Sequence, residues 1–155
     1  MAAIEAILIP TDFSTTGEFA VEYGCSLAQT LKSRVHLLHV VENPHLGPGG
    51  ATLWNYSLPA LRERLEEEAE ERMATLAAQY EPDLVVERDA RVGEPWVEIV
   101  DCARERRVDL IVMGTHGHGA VAQLLLGSVA ERVVQHSPCP VLTVRPTEHD
   151  TPSPP

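Results

Sequence analysis

Short apolar runs that alternate with longer segments of helical period constrain this chain more than any other feature of it. Residues 4–9, 34–41, 84–92, 110–114 and 141–144 have strand lengths, and four of these five runs are rich in Val or Ile. Residues 14–31 carry Ala20, Tyr23, Leu27 and Leu31 at helical spacing, with Thr15 and Glu18 placed as a capping box. Residues 59–80 put Leu61, Leu65, Ala69, Leu76 and Tyr80 on one stripe. The other faces of that segment carry a charged run in which Arg62 and Glu66, and Glu68 and Arg72, stand four apart. Glu94 and Pro95 open a third helix with an apolar stripe of Trp96, Ile99, Val100 and Ala103, and Arg104, Arg106 and Arg107 suit its negative C-terminal end. A fourth helix is expected from Ser128 to His136. Strands separated by helices require crossover connections, so the expected architecture is α/β, an open parallel sheet with helices on both faces.

With 155 residues, 44% of them hydrophobic, the chain can bury one good core and is too short for two ordinary ones. Residues 1–146 are read as one domain. Residues 147–155 are polar with three prolines and are expected to be disordered. The segment 43–57 contains Pro44, Gly47, Pro48, Gly49 and Gly50 and is expected to be a mobile surface loop. A net charge of −11 argues against nucleic acid or an anionic membrane surface as partner, and no apolar run approaches the ~20 residues of a membrane span. No signal sequence is evident at the N-terminus, so a cytoplasmic location is expected. Cys25, Cys102 and Cys139 form no C-x-x-C pair and read as buried free thiols.

Open parallel sheets bind ligands beyond the carboxyl ends of their strands, where the strand order reverses. The first such turn, Pro10-Thr11-Asp12-Phe13-Ser14, contains no glycine, which disfavours a dinucleotide-binding dehydrogenase. The only lysine is Lys32, so a P-loop lysine is absent as well. Glycines appear instead after the fourth run, as Gly114-Thr115-His116-Gly117-His118-Gly119, and again at Gly127-Ser128 where a helix begins. Glycines admit close backbone approach, and a helix N-terminus offers free N–H groups with a positive dipole end, so the two together suit a phosphate. Ser128 has the chemistry of a helix cap and of a phosphate donor, and Asp12 that of a plain cap for the first helix. His116 and His118 are two apart, a spacing compatible with a metal, but the loop offers no obvious third ligand. His36 and His39 point to opposite faces of a strand and read as structural, and Trp96 reads as core.

The spacing Gly114-x2-Gly117-x9-Gly127-Ser128 resembles the ATP-binding subgroup of the universal stress protein family. So do Pro10-Thr11-Asp12, Leu37-Leu38-His39-Val40 and Ser137-Pro138-Cys139-Pro140-Val141, over roughly residues 4–146. The resemblance implies a five-stranded sheet of order 3-2-1-4-5. It places Asp12 on the ribose or on Mg²⁺, with Pro10 and Thr11 as the floor and the Val40 backbone on adenine. Gly114, Gly117, Gly127, Ser128 and the N–H of Val129 would surround the phosphates, with His116 as an added polar contact. It further implies ATP, ADP or AMP as ligand, a homodimer through Val141, Leu142, Thr143 and Val144, and control of a regulated protein that the sequence does not identify. No catalytic residue is assigned. Slow ATP hydrolysis, or phosphate transfer to a hydroxyl such as that of Ser128, is the alternative to pure binding.

Overall fold

A computed structural model describes residues 3–42, 51–116 and 126–146. The elements are β1 (Ala6–Pro10), α1 (Thr15–Leu31), β2 (Arg34–Glu42), α2 (Ala51–Ala78), β3 (Val86–Gly93), α3 (Pro95–Arg106), β4 (Leu110–Gly114), α4 (Ser128–His136) and β5 (Val141–Val144). All pairings are parallel and the strand order is β3-β2-β1-β4-β5, the architecture expected.

β1 lies between β2 and β4, and each of its five residues is buried. Its side chains alternate between two cores. Ile7 and Ile9 join Val21, Cys25, Ala28, Leu37, Met73 and Val112 beneath α1 and α2. Ala6 and Leu8 join Leu38, Ile99, Ala103, Ile111, Ala130 and Val133 beneath α3 and α4. A strand covered on both faces reads as a continuous apolar run, which is why β1 shows no polar alternation. At the amino end of the sheet the Asp109 carboxylate accepts from the N–H groups of Glu5 and Ala6 at 2.9 and 3.0 Å, tying the start of β1 to the loop before β4. Among the described residues no helix is long and apolar enough to cross a membrane.

Several expectations are corrected. The helix α2 begins at Ala51, so residues 51–57 are helical and Pro59 lies within the helix rather than at its start. Its buried stripe centres on Ala69, Met73 and Ala77, whereas Leu61 is exposed. Arg62 does pair with Glu66 at 2.8 Å, but Glu68 pairs with Arg64, not with Arg72. The cap of α1 is Ser14, one residue before the expected capping box, and its hydroxyl accepts from the Gly17 N–H. Residues 43–50, 117–125 and 147–155, with most of the expected mobile loop, Gly117, His118 and the C-terminal tail, lie outside the described residues. Cys25 and Cys102 are buried thiols, and burial pushes Cys25 up to about 12 and Cys102 up to about 11. Cys139 is only half-buried.

Met73, fully buried, is the largest side chain by which α2 enters the first core. Met73→Ala leaves a cavity there and should lower the unfolding free energy by about 2–5 kcal/mol, read as a shift in the urea midpoint at unchanged slope.

Candidate nucleotide site at the carboxyl edge of the sheet

The loops after β1 and β4 leave the sheet side by side and then diverge, α1 packing on one face and α4 on the other. The described residues among those expected at the site, all but Gly117, lie along this divide.

After β1, the Thr11 N–H donates to the Leu38 carbonyl at 2.8 Å, and the Phe13 N–H returns to Thr11 Oγ1 at 3.1 Å. Asp12 Oδ1 accepts from the N–H and hydroxyl of Ser14. Asp12 therefore organises the turn, and Ser14 is the helix cap. A Cβ on Gly17 would meet Asp12 Oδ1 at 2.7 Å and Thr11 Oγ1 at 3.0 Å, so a glycine here leaves room for these two side chains over the first turn of α1. Phe13 adopts a left-handed backbone, φ 61°, which a bulky residue rarely occupies. Its ring lies 4.5 Å from that of His39 and 4.1 Å beneath the guanidinium of Arg72.

Asp12, Phe13, His39, Val40, Leu65 and Arg72 are among the residues lining a cleft of about 270 Å³ between the β1–α1 turn, the end of β2 and α2. Val40, to which the resemblance assigns the adenine contact, is part of this lining. His39 Nδ1 lies 2.8 Å from the Thr11 carbonyl, an acceptor, so Nδ1 carries the hydrogen. Burial, the largest influence, lowers the His39 pKa below its usual 6.5, although the Thr11 hydrogen bond and the Asp12 charge oppose this.

After β4, the Gly127 N–H donates to the Thr115 carbonyl at 2.7 Å, which docks the start of α4 against the end of β4. A Cβ on Gly127 would stand 2.9 Å from that carbonyl oxygen, a backbone atom that cannot swing aside. The first intrahelical bond of α4 runs from the Glu131 N–H to the Gly127 carbonyl at 2.9 Å. The N–H groups of Ser128, Val129 and Ala130 precede it and carry the positive end of the helix dipole. One sequence expectation changes here, and one glycine gains a packing role. The N-cap is Gly127, and Ser128 is the first helical residue, so Ser128 is not a cap. The missing side chain of Gly114 accommodates α1, because a Cβ there would meet Thr16 Cγ2 at 2.8 Å and the Thr16 carbonyl oxygen at 3.2 Å. His116 Nδ1 lies 3.0 Å from Thr115 Oγ1.

Pro10, Thr11, Asp12 and Val40 are therefore grouped around the β1–β2 side of the divide. Gly114, His116, Gly127, Ser128 and Val129 are grouped on the β4 side. Phe13, His39, Thr115 and Arg72 were not singled out for the site by sequence. His39 carried a signal, since it closes β2 beside Val40, whereas Arg72 carried none, because it comes from a helix whose packing the charged run obscures. His36 lies on the opposite face from His39, at 3.3 Å from Glu87, in keeping with a structural role. Trp96 is half-buried between α3 and α4, with its indole N–H on Glu94 at 2.6 Å.

A family model described as the universal stress protein family matches residues 3–145. Universal stress protein MJ0531 of Methanocaldococcus jannaschii is 34% identical over 141 residues, covering 90% of this chain and 81% of the relative. Universal stress protein MJ0577 of the same organism is 34% identical, covering 90% and 93%. A solved structure of MJ0577 superposes with a TM-score of 0.80 at 33% identity, over 95% of this chain and 99% of that one. A universal stress protein crystallised in complex with cAMP superposes with a TM-score of 0.61 at 25% identity, over 93% and 98%.

The lowered pKa of His39 has a signed consequence. Unfolded, its imidazole takes up a proton near pH 6.5, while the folded protein resists that proton to lower pH. The stability it contributes is complete above about pH 6.5 and is lost as pH falls through that value to the folded pKa. His36 is lowered by burial in the same direction. Urea midpoints should fall between about pH 7.5 and about pH 5.5, and His39→Asn should make that dependence shallower.

Proposed function

Because the chain belongs to the universal stress protein family, we propose that it is an ATP-binding member acting as a nucleotide-dependent regulator in the stress response. The observation that carries this reading is the docking of the α4 N-terminus on Thr115, which holds the N–H groups of Ser128, Val129 and Ala130 beside the end of β4. Three amides on a dipole end form an anion seat. The cleft bounded by Asp12 and Val40 offers room for ribose and base on the other side of the divide. The cAMP in the relative's crystal structure supports an adenine nucleotide as the ligand class, with ATP, ADP and AMP all compatible.

Mg²⁺ fits as a companion of the phosphates and of Asp12, not as a resident metal. No group of three or more His, Cys, Asp or Glu side chains converges on one point among the described residues, so phosphate oxygens and water would complete its shell. A binding role is favoured over efficient hydrolysis by the position of Lys32, which caps the C-terminus of α1 at the opposite end of the sheet. The chain's only lysine therefore cannot steady a moving phosphoryl group. Occupancy of the site would alter the surface that the β1–α1 turn and α4 present to a regulated partner in the cytoplasm.

The homodimer follows the same reading. Among the described residues β5 pairs with β4 alone. The Ile111 N–H donates to the Pro140 carbonyl at 3.0 Å and the Thr115 N–H to the Val144 carbonyl at 3.1 Å. Strand alternation then turns the N–H groups of Val141 and Thr143 to the open edge. That edge carries no Lys, Asp or Glu to discourage a second strand.

Mass spectrometry of small molecules released by denaturing freshly purified protein should detect an adenine nucleotide, and isothermal titration should show ATP binding. Gly127→Val should abolish the titration signal while circular dichroism is retained; wild-type affinity in that variant would overturn the phosphate seat. Thr143→Pro deletes an edge-facing donor and should shift a dimer toward monomer in light scattering with ATP binding kept. A monomeric wild-type protein, or an undisturbed dimer in the variant, would exclude this strand as the interface.

A further inference from the structure

We infer that Arg72 is the base-stacking residue of the cleft, its guanidinium forming the wall on which a purine ring lies, and that it takes no part in holding phosphate. This rests on the nucleotide-binding reading above and adds to it a residue that determines how the base is held. Arg72 stands four residues after Glu68, a spacing that favours an ion pair, yet Glu68 is engaged by Arg64. Among the described residues no salt bridge to Arg72 is found; its guanidinium instead lies 4.1 Å above the centroid of the Phe13 ring. Phe13 lies in turn 4.5 Å from His39, with 31° between the planes. Three flat groups, His39, Phe13 and Arg72, are thus arranged in series, and all three line the same cleft. Phe13 is held there in a left-handed backbone, a conformation that persists only where surrounding contacts impose it.

Electrostatics decides what can lie against this wall. Asp12, Glu42 and Glu68 line the cleft together with Arg72, so carboxylates outnumber the one guanidinium and the local field repels a polyanion. The amides suited to phosphate stand across β1, at the start of α4. What remains for the cleft is the uncharged, planar end of the nucleotide. A guanidinium is planar and weakly hydrated and stacks on aromatic faces, which the compact, strongly hydrated ammonium of lysine does not do as well. The carboxylates beside it are acceptors suited to the exocyclic amine of adenine.

The test is isothermal titration of adenosine and of ATP into the full chain, its Arg72→Ala variant and its Arg72→Lys variant, at low and high salt. Arg72 is exposed, so neither substitution opens the core, and thermal unfolding checks that the fold is kept. Both variants should weaken adenosine and ATP by the same factor, about tenfold, and that factor should be insensitive to salt. Loss of ATP affinity with adenosine unchanged, or full recovery in Arg72→Lys, would mean a point charge on phosphate and would overturn the inference. Unchanged affinities in Arg72→Ala would overturn it while leaving the nucleotide reading intact. Failure of the wild-type protein to bind either ligand would remove both.

Discussion

The hydrogen bonding of β1 on both edges is the constraint on which the rest of the molecule depends. With β2 on one side and β4 on the other, and with every residue buried, β1 has no surface on which to place a functional group except its carboxyl end. The chain beyond Pro10 continues the β2 ladder for one more bond, from the Thr11 N–H to the Leu38 carbonyl, before it turns onto α1. The chain beyond Gly114 likewise continues toward β5 through the Thr115 N–H on the Val144 carbonyl. Each loop is held to the neighbour farther from the centre, and the divide between them follows from that pairing. Both halves of the proposed site are consequences of where β1 ends.

Sequence made the sheet order legible through the resemblance, and the elements legible through periodicity. A β1 run without polar alternation can be explained only by cover on both faces. A need for backbone space at Gly127 was also readable from the glycine motif, although the Thr115 carbonyl that it admits was not. The start of α2 was not readable, because a segment opened by Pro44, Gly47, Pro48, Gly49 and Gly50 carries turn chemistry and Pro59 reads as a first-turn residue. Helical residues upstream of that proline belie both signals. The cap positions were each off by one: Ser14 and Thr15 are chemically alike, and Gly127 and Ser128 are both acceptable caps, so residue type does not choose between them.

Gly114 illustrates a different limit. Its place in a glycine motif points to a ligand, yet the atoms nearest its absent side chain are those of Thr16 on α1. The same residue type serves packing here and backbone approach at Gly127, and spacing along the chain cannot separate the two roles. Arg72 shows the limit from the other side. Nothing in a run of alternating acids and arginines marks one arginine as special. Only the three-dimensional competition does so, in which Glu68 is taken by Arg64 and the Phe13 ring lies under the Arg72 guanidinium.

A chain carrying a net charge of −11 is an unpromising receptor for a polyanion, and the arrangement of its charges indicates how the proposed site would overcome this. Long-range repulsion from surface carboxylates is screened over about 8 Å at physiological salt, whereas a hydrogen bond from a backbone amide acts at contact. Amides at a helix start also carry no formal charge, so they add attraction without needing a compensating carboxylate nearby. The acidic side chains that cannot be avoided, Asp12, Glu42 and Glu68, are gathered at the cleft. There the ligand would present its neutral end, to which carboxylates are useful acceptors. Separation of the two ends of the ligand across β1 would therefore reconcile an acidic protein with the proposed phosphate seat. It also requires that the orientation of a bound nucleotide be fixed by charge as much as by shape.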